Sequence, residues 1–250
     1  PADVQNFLGE ITGMDRAFGH IRSEIKSLGL TDDTILWYCS DNGGANGPKS
    51  TGNLRGSKGT MWEGGLRVPG LVEWPARIPK PAVTDVPCST MDMYPTILEA
   101  TGVAQPETVD GIAQKPIEGV SMMYTFDAKN AAAPSTRKTQ YFEMMGNRGI
   151  YHEGWFAGTK VMRAPWEGVP PKVSALDYPW ELFNLNEDWT QADDVAAKHP
   201  EKLKELQELF WKEADKYNVL PLDDSFSSRA IIPKPSITAG RTRFTWTRPL

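Results

Sequence analysis

"ILWYCSDNGG", residues 35–44, runs an apolar strand straight into a carboxylate, an amide and two glycines. A short continuous apolar run of this kind reads as a parallel strand covered on both faces. The glycines at its end let something approach the backbone closely. Upstream, Val4, Phe7, Leu8, Ile11, Met14, Phe18, Ile21, Ile25 and Leu28 recur mostly every third or fourth position, so residues 3–28 read as one amphipathic helix that Gly29 stops. Helix, the turn "TDDT" and a buried strand make half of an α/β unit. Ligands of open α/β sheets bind beyond the carboxyl ends of the strands, which is where Asp41 and Asn42 fall.

Downstream, "RVPGLVEWP" (67–75) predicts a second short strand, and "MDMYPTILEATG" (91–102) a helix with Ser89 or Thr90 near its start and Gly102 just past its end. Pro, Gly, Ala and Lys crowd residues 103–137, a long ordered loop between two subdomains. "TQYFEMM", "RGIYH", "GWFAGTKVM" and "WELFNL" then predict four strands of an antiparallel meander. A helix over 200–217 follows, opened by Pro200 and showing Leu203, Leu206, Leu209, Phe210, Ala214 and Tyr217 on one face. The expected class is therefore α/β, with a small C-terminal subdomain of antiparallel sheet and helix. Its expected divisions are 1–105, a connecting loop 106–137, 138–220 and an extended tail 221–250.

At 250 residues the chain can bury a substantial core. Its 27 basic and 32 acidic residues leave a net charge of −5 with no basic stripe, which argues against a nucleic-acid partner. No apolar run approaches the roughly 20 residues that span a bilayer. Cys39 and Cys88 lie in neither a C-x-x-C nor a zinc-ligand spacing, so both read as buried thiols.

Asp41 and Asn42 offer hard oxygen atoms, and Gly43 and Gly44 permit a turn tight enough for both to face one cation. A ligand-free Asp-Asn-Gly β-turn explains the same residues equally well. Lys58 sits in "RGSKGT", which fails the phosphate-binding loop pattern because Ser57 precedes the lysine and Gly59 follows it. It is then either an isolated cationic hook for an oxyanion or a solvated loop lysine. Glu63 and Asp41 together have the composition of a glycosidase pair, without a distance to support it. His20, His152 and His199 belong to no recognisable triad pattern.

Taken jointly, "LGLTDDTILWYCSDNGG" (28–44), "LRGSKGTMWEGGLRVPGLVEWPARIP" (54–79) and "STMDMYPTILEATG" (89–102) resemble, in order and spacing, the second half of the catalytic domain of a type I sulfatase. That family is part of the alkaline-phosphatase-like superfamily. "QYFEMMGNRGIYHEGWFAGTKV", "WELFNLNEDWTQADDVAA" and "EADKYNVLPLDD" are similar to its bacterial arylsulfatase branch, and the likeness covers roughly residues 1–230. The resemblance implies part of a doubly wound sheet and hydrolysis of sulfate esters, small-molecule or saccharide, at a site holding calcium rather than magnesium. It also implies a formylglycine nucleophile made from the Cys or Ser of a C/S-x-P/A-x-R motif. Carried over, Asp41 and Asn42 match the second pair of metal ligands and Lys58 the lysine that holds the sulfate oxygens and the leaving-group side. His152 falls near the substrate mouth, with no role assigned.

The departures are as informative. Cys39 is followed by "SDNG" and Cys88 by "STMD", so neither is the formylglycine precursor. The first pair of metal ligands and the family's upstream His, Lys and Arg are absent as well. The expectation is an internal portion, inactive by itself, whose partner is the N-terminal half of the same protein, with a periplasmic or extracellular location in bacteria by family habit. Two alternatives stay open: a phosphodiesterase or phosphonate hydrolase of the same superfamily, and a non-catalytic binding protein that keeps the fold.

Overall fold

The computed structural model describes residues 2–45, 48–130, 133–159 and 174–224. The opening helix α1 is Ala2–Ser27. Gly29 ends it in the left-handed conformation (φ +69°), and the Leu30 N–H reaches back to the Ile25 carbonyl (3.0 Å), which satisfies an otherwise orphaned acceptor. Strand β1 (Leu36–Cys39) follows, then two single-turn helices, α2 (Pro48–Thr51) and α3 (Glu63–Leu66), and strand β2 (Gly70–Glu73).

β1 pairs with β2 antiparallel, Tyr38 opposite Leu71 and Cys39 opposite Gly70. The apolar run 35–39 had suggested a parallel strand. The chain between the two strands holds only single-turn helices and folds back as a long loop, and a parallel pair needs a full crossover. Nor is β1 fully covered, since all four of its residues are half-buried. On one side α1 rests on it through the edge-to-face pair Phe18–Tyr38 (centroids 5.5 Å) and the two-pronged Arg22–Glu73 bond (2.6 and 2.9 Å). Much of the rest of the apolar stripe of α1 is open to solvent, Leu8 and Ile21 at 54% and 46% exposure.

A 3₁₀ turn, Thr90–Asp92, leads into α4 (Met93–Thr101), with the Asp92 carboxylate accepting from the Ser89 N–H at 2.7 Å. Gly102 (φ +67°) closes α4 as Gly29 closes α1. The stretch 103–130 is not bare loop: it folds a small exposed hairpin, β3 (Thr108–Val109) with β4 (Ile112–Ala113), and two 3₁₀ turns.

β5 (Thr139–Met144), β6 (Asn147–His152), β7 (Trp155–Thr159) and β8 (Trp180–Asn184) form the expected meander, in sequential order. Period-two alternation gives the sheet two working faces. The row Tyr141, Ile150, Ala157 and Leu182 faces α5 (Pro200–Lys216) and its buried Leu206, Phe210 and Ala214. Gln140, Tyr151, Phe156 and Phe183, one register position on, belong to the opposite face, where Trp62 packs. The expected extended tail falls almost wholly outside the described residues. Among the described residues no helix is long and apolar enough to cross a membrane. Cys39 is half-buried and Cys88 exposed, contrary to the expectation that both would be buried, because Cys88 lies in the irregular run ahead of α4.

Candidate active-site loops

Two loops meet at the carboxyl end of β1. The first, 40–45, carries Asp41, which is exposed, and Asn42, which is half-buried; the Ser40 hydroxyl donates to the Asn42 carbonyl at 2.9 Å and tightens the turn. The second, 54–66, carries Lys58. The Lys58 N–H donates to the Gly44 carbonyl (3.0 Å) and the Gly43 N–H to the Gly65 carbonyl (2.9 Å), so backbone bonds hold the lysine loop against the Asp-Asn turn.

This contact explains the glycines. A Cβ on Gly43 would lie 1.8 Å from the Gly64 carbonyl oxygen, and one on Gly64 would lie 2.4 Å from that of Gly56. Backbone meets backbone there, and no side chain fits between. The Gly64 N–H donates to the Arg55 carbonyl at 2.7 Å and closes the base of the lysine loop. Lys58 itself is exposed.

Glu63, which composition had allowed as half of a glycosidase pair, is spoken for: it is 7% exposed and its carboxylate is ion-paired with the Arg67 guanidinium. Burial pushes its pKa up, and the Arg67 charge only partly opposes that. A carboxyl whose pKa is raised on folding stabilises the fold at low pH, and that contribution is lost as pH rises through the folded value. Glu63→Gln, which cannot ionise, is therefore expected to equal or exceed the parent in melting temperature at pH 7.5. The gap should close as pH falls through the ordinary carboxylate range. Melts of both proteins between pH 4 and 8 check this, and a variant that is less stable at pH 7.5 would show that the Arg67 pair dominates.

His152 does not face these loops. It shares the α5 side of the sheet, one row from Ile150, and its Nδ1 lies 2.8 Å from the Thr139 hydroxyl. His20 is exposed on α1, and His199 packs edge-on against Trp155 just before α5 (5.3 Å).

The residues that hold the lysine loop from behind were not visible as a motif. Trp62, 4% exposed, packs edge-on against Phe183 (5.7 Å) and tilted against Phe156 (6.3 Å), with the Arg55 guanidinium over its ring at 4.5 Å. Arg55 also pairs with Glu181 on β8 (2.7 Å). Among the described residues no cluster of three or more His, Cys, Asp or Glu gathers to hold a metal. What is present, a carboxylate and an adjacent amide oxygen at a strand end, is donor chemistry of the kind hard cations take, and two such residues would supply only part of a coordination shell.

Residues 2–103 match the family described as sulfatase. The human steryl-sulfatase is 36% identical over 256 residues, covering 89% of this chain. The chain belongs to the sulfatase family. An N-acetylgalactosamine-6-O-sulfatase of Bacteroides thetaiotaomicron is 26% identical over 224 residues, 80% of the chain. A solved structure from work on glycosaminoglycan metabolism in that bacterium superposes with a TM-score of 0.61 at 26% identity, over 80% of this chain. A sulfatase from Pseudoalteromonas sp. gives 0.62 over 82% of it, at 22% identity. The fold is thus the α/β sulfatase fold with its small sheet-and-helix subdomain. The chain spans less than half the length of the relatives it matches, 42% of the human and 40% of the Bacteroides enzyme.

Proposed function

We propose that this chain supplies one side of the active site of a sulfate-ester hydrolase. Asp41 and Asn42 furnish two oxygen ligands to a calcium ion, and Lys58 binds the sulfate group. The observation that carries this is the 3.0 Å bond from the Lys58 N–H to the Gly44 carbonyl, which keeps the lysine loop beside the Asp-Asn turn, inside the segment that matches sulfatases. Calcium takes six to eight oxygens, so further ligands come from polypeptide beyond Asp41 and Asn42. When bound, the ion offsets charge on the sulfate oxygens. Lys58 acts on the same group: its ammonium neutralises a non-bridging oxygen and the charge that grows on the leaving oxygen.

The nucleophile, a formylglycine by family, lies outside these 250 residues, since none of their Cys or Ser residues begins a C/S-x-P/A-x-R motif. The apolar residues that α1 leaves open, Leu8, Ile11, Met14 and Ile21, support the reading that the complementary half of a sulfatase packs on this helix. By itself the chain is then expected to turn over no sulfate ester. The substrate class is a sulfate ester of a saccharide or of a small alcohol or phenol.

In a polypeptide that also carries the nucleophile, Lys58→Ala is expected to lower turnover by about 10² to 10³-fold, about 3–4 kcal/mol of transition-state stabilisation. Steady-state hydrolysis of an aryl sulfate measures it. Unchanged turnover, or sulfatase activity from the 250-residue chain alone, overturns the assignment.

A further inference from the structure

Both ends of the lysine loop are fastened to two consecutive residues far away in the sequence. The Arg55 N–H donates to the Thr190 carbonyl at 3.0 Å. The Glu63 N–H donates to Gln191 Oε1 at 2.7 Å, a buried bond across 128 positions. Gln191 is fully buried, in the left-handed backbone region (φ +61°), and its Nε2 has no hydrogen-bond partner among the described residues. The side chain is held there through its acceptor alone.

Its loop is in turn pinned by Asp188, whose carboxylate accepts from the Thr190 N–H (3.2 Å), the Thr190 hydroxyl (2.7 Å) and the Asp193 N–H (2.9 Å). Burial opposes ionisation of Asp188, yet these bonds together outweigh it and hold the carboxyl below its ordinary range. A residue kept in a conformation that costs free energy, with one polar bond to show for it, marks a constraint imposed from elsewhere.

We propose that Gln191 is a positioning residue for Lys58: through its bond to the Glu63 N–H it fixes the height of the lysine loop over the Asp41-Asn42 turn. The claim rests on the sulfate-binding reading of Lys58 for its functional meaning, but not for its geometry. Gln191 acts through the backbone of residues 55–63 and touches no substrate. The C-terminal subdomain thereby becomes part of the machinery that sets the sulfate site.

The test uses the 250-residue chain and two substitutions of similar volume. Gln191→Met removes the acceptor, and Gln191→Glu keeps it. Amide hydrogen exchange at Lys58, whose N–H is bonded to Gly44, reads the height of the loop, with the Ile150 and Ala157 amides of the inner strands as internal references. Gln191→Met is expected to speed exchange at Lys58 and Glu63 by about tenfold to a hundredfold, as leaving a buried donor unmet would, while the references hold. Gln191→Glu should restore protection. Inorganic sulfate then serves as the probe: its midpoint for shifting the Lys58 side-chain resonance should rise about tenfold in Gln191→Met and return in Gln191→Glu.

Unchanged protection at Lys58 overturns the proposal, and so does a uniform loss across the sheet, which would make Gln191 a general support of the fold. Should Gln191→Met not fold, Asp188→Asn loosens the same loop from its partly exposed side and should give several-fold faster exchange at Lys58; no change would overturn the claim equally. A parent chain whose Lys58 ignores sulfate counts against the sulfate role and leaves the exchange result to decide the positioning role.

Discussion

Asp92→Ala is expected to destabilise the chain by about 3–5 kcal/mol, the cost of stranding one member of a buried ion pair. Asp92 is fully buried, and Arg137, the last residue but one before β5, is 6% exposed. The carboxylate accepts from two nitrogens of Arg137, from the Ser89 N–H (2.7 Å) and from the Val120 N–H (2.8 Å), so one side chain ties together the start of α4, the connecting stretch and the approach to the sheet. Arg137 spends a third nitrogen on Gln140 Oε1 (2.6 Å). With alanine at 92 the guanidinium keeps only that contact and two backbone donors lose their acceptor. Urea unfolding of Asp92→Ala and of Asp92→Ala/Arg137→Met separates the contributions. The double variant should recover part of the loss, because it removes the stranded charge but leaves the Ser89 and Val120 donors unmet. A single variant within about 1 kcal/mol of the parent would show that water replaces the carboxylate and that the tie is unimportant.

Trp62→Ala is expected to cost a similar amount, about 3–5 kcal/mol, for a different reason: it empties the contact between the lysine loop and the sheet. The ring fits because Gly158 of β7 leaves room for it; a Cβ there would come within 3.0 Å of Trp62 Cζ3. Removing the indole opens a cavity against Phe156 and Phe183 and takes away the surface over which the Arg55 guanidinium lies. Equilibrium unfolding measures the loss, and near-ultraviolet circular dichroism should lose the signal of a rigidly packed tryptophan. A cost below about 1 kcal/mol would mean that the loop stands without the sheet.

Much of this architecture was legible in the residue pattern, for identifiable reasons. α1, α4 and α5 announced themselves by apolar spacing and by terminal Gly29, Gly102 and Pro200, all local signals. The meander was legible because its strand-like runs are set apart by turn residues, such as the Gly146 and Gly154 that follow β5 and β6. The direction of β1 was not: four apolar residues are consistent with either sense, and only the absence of a crossover helix decides. The Asp41-Asn42 turn and Lys58 stood out because of the glycines around them, which fit a tight turn as well as a close approach; at Gly43 and Gly64 the structure shows backbone against backbone. Asp92, Arg137 and Gln191 did not stand out, because the contacts that join them to other elements span 28 to 128 positions and leave no period to read. Glu63 looked like chemistry and proved to be packing, a distinction that burial alone could draw.

The fastening of the lysine loop to Thr190 and Gln191 bears on how the molecule can be dissected. The stretch that matches the family model ends at residue 103, and a boundary drawn there would sever the Arg55–Thr190 and Glu63–Gln191 bonds, the Arg55–Glu181 pair and the Asp92–Arg137 pair in one cut. The piece so excised would keep every residue proposed to handle sulfate and lose what holds them at their working height. The edge of the model match therefore cuts through the cooperative unit, and a minimal version of the half-site has to run at least through Asp193.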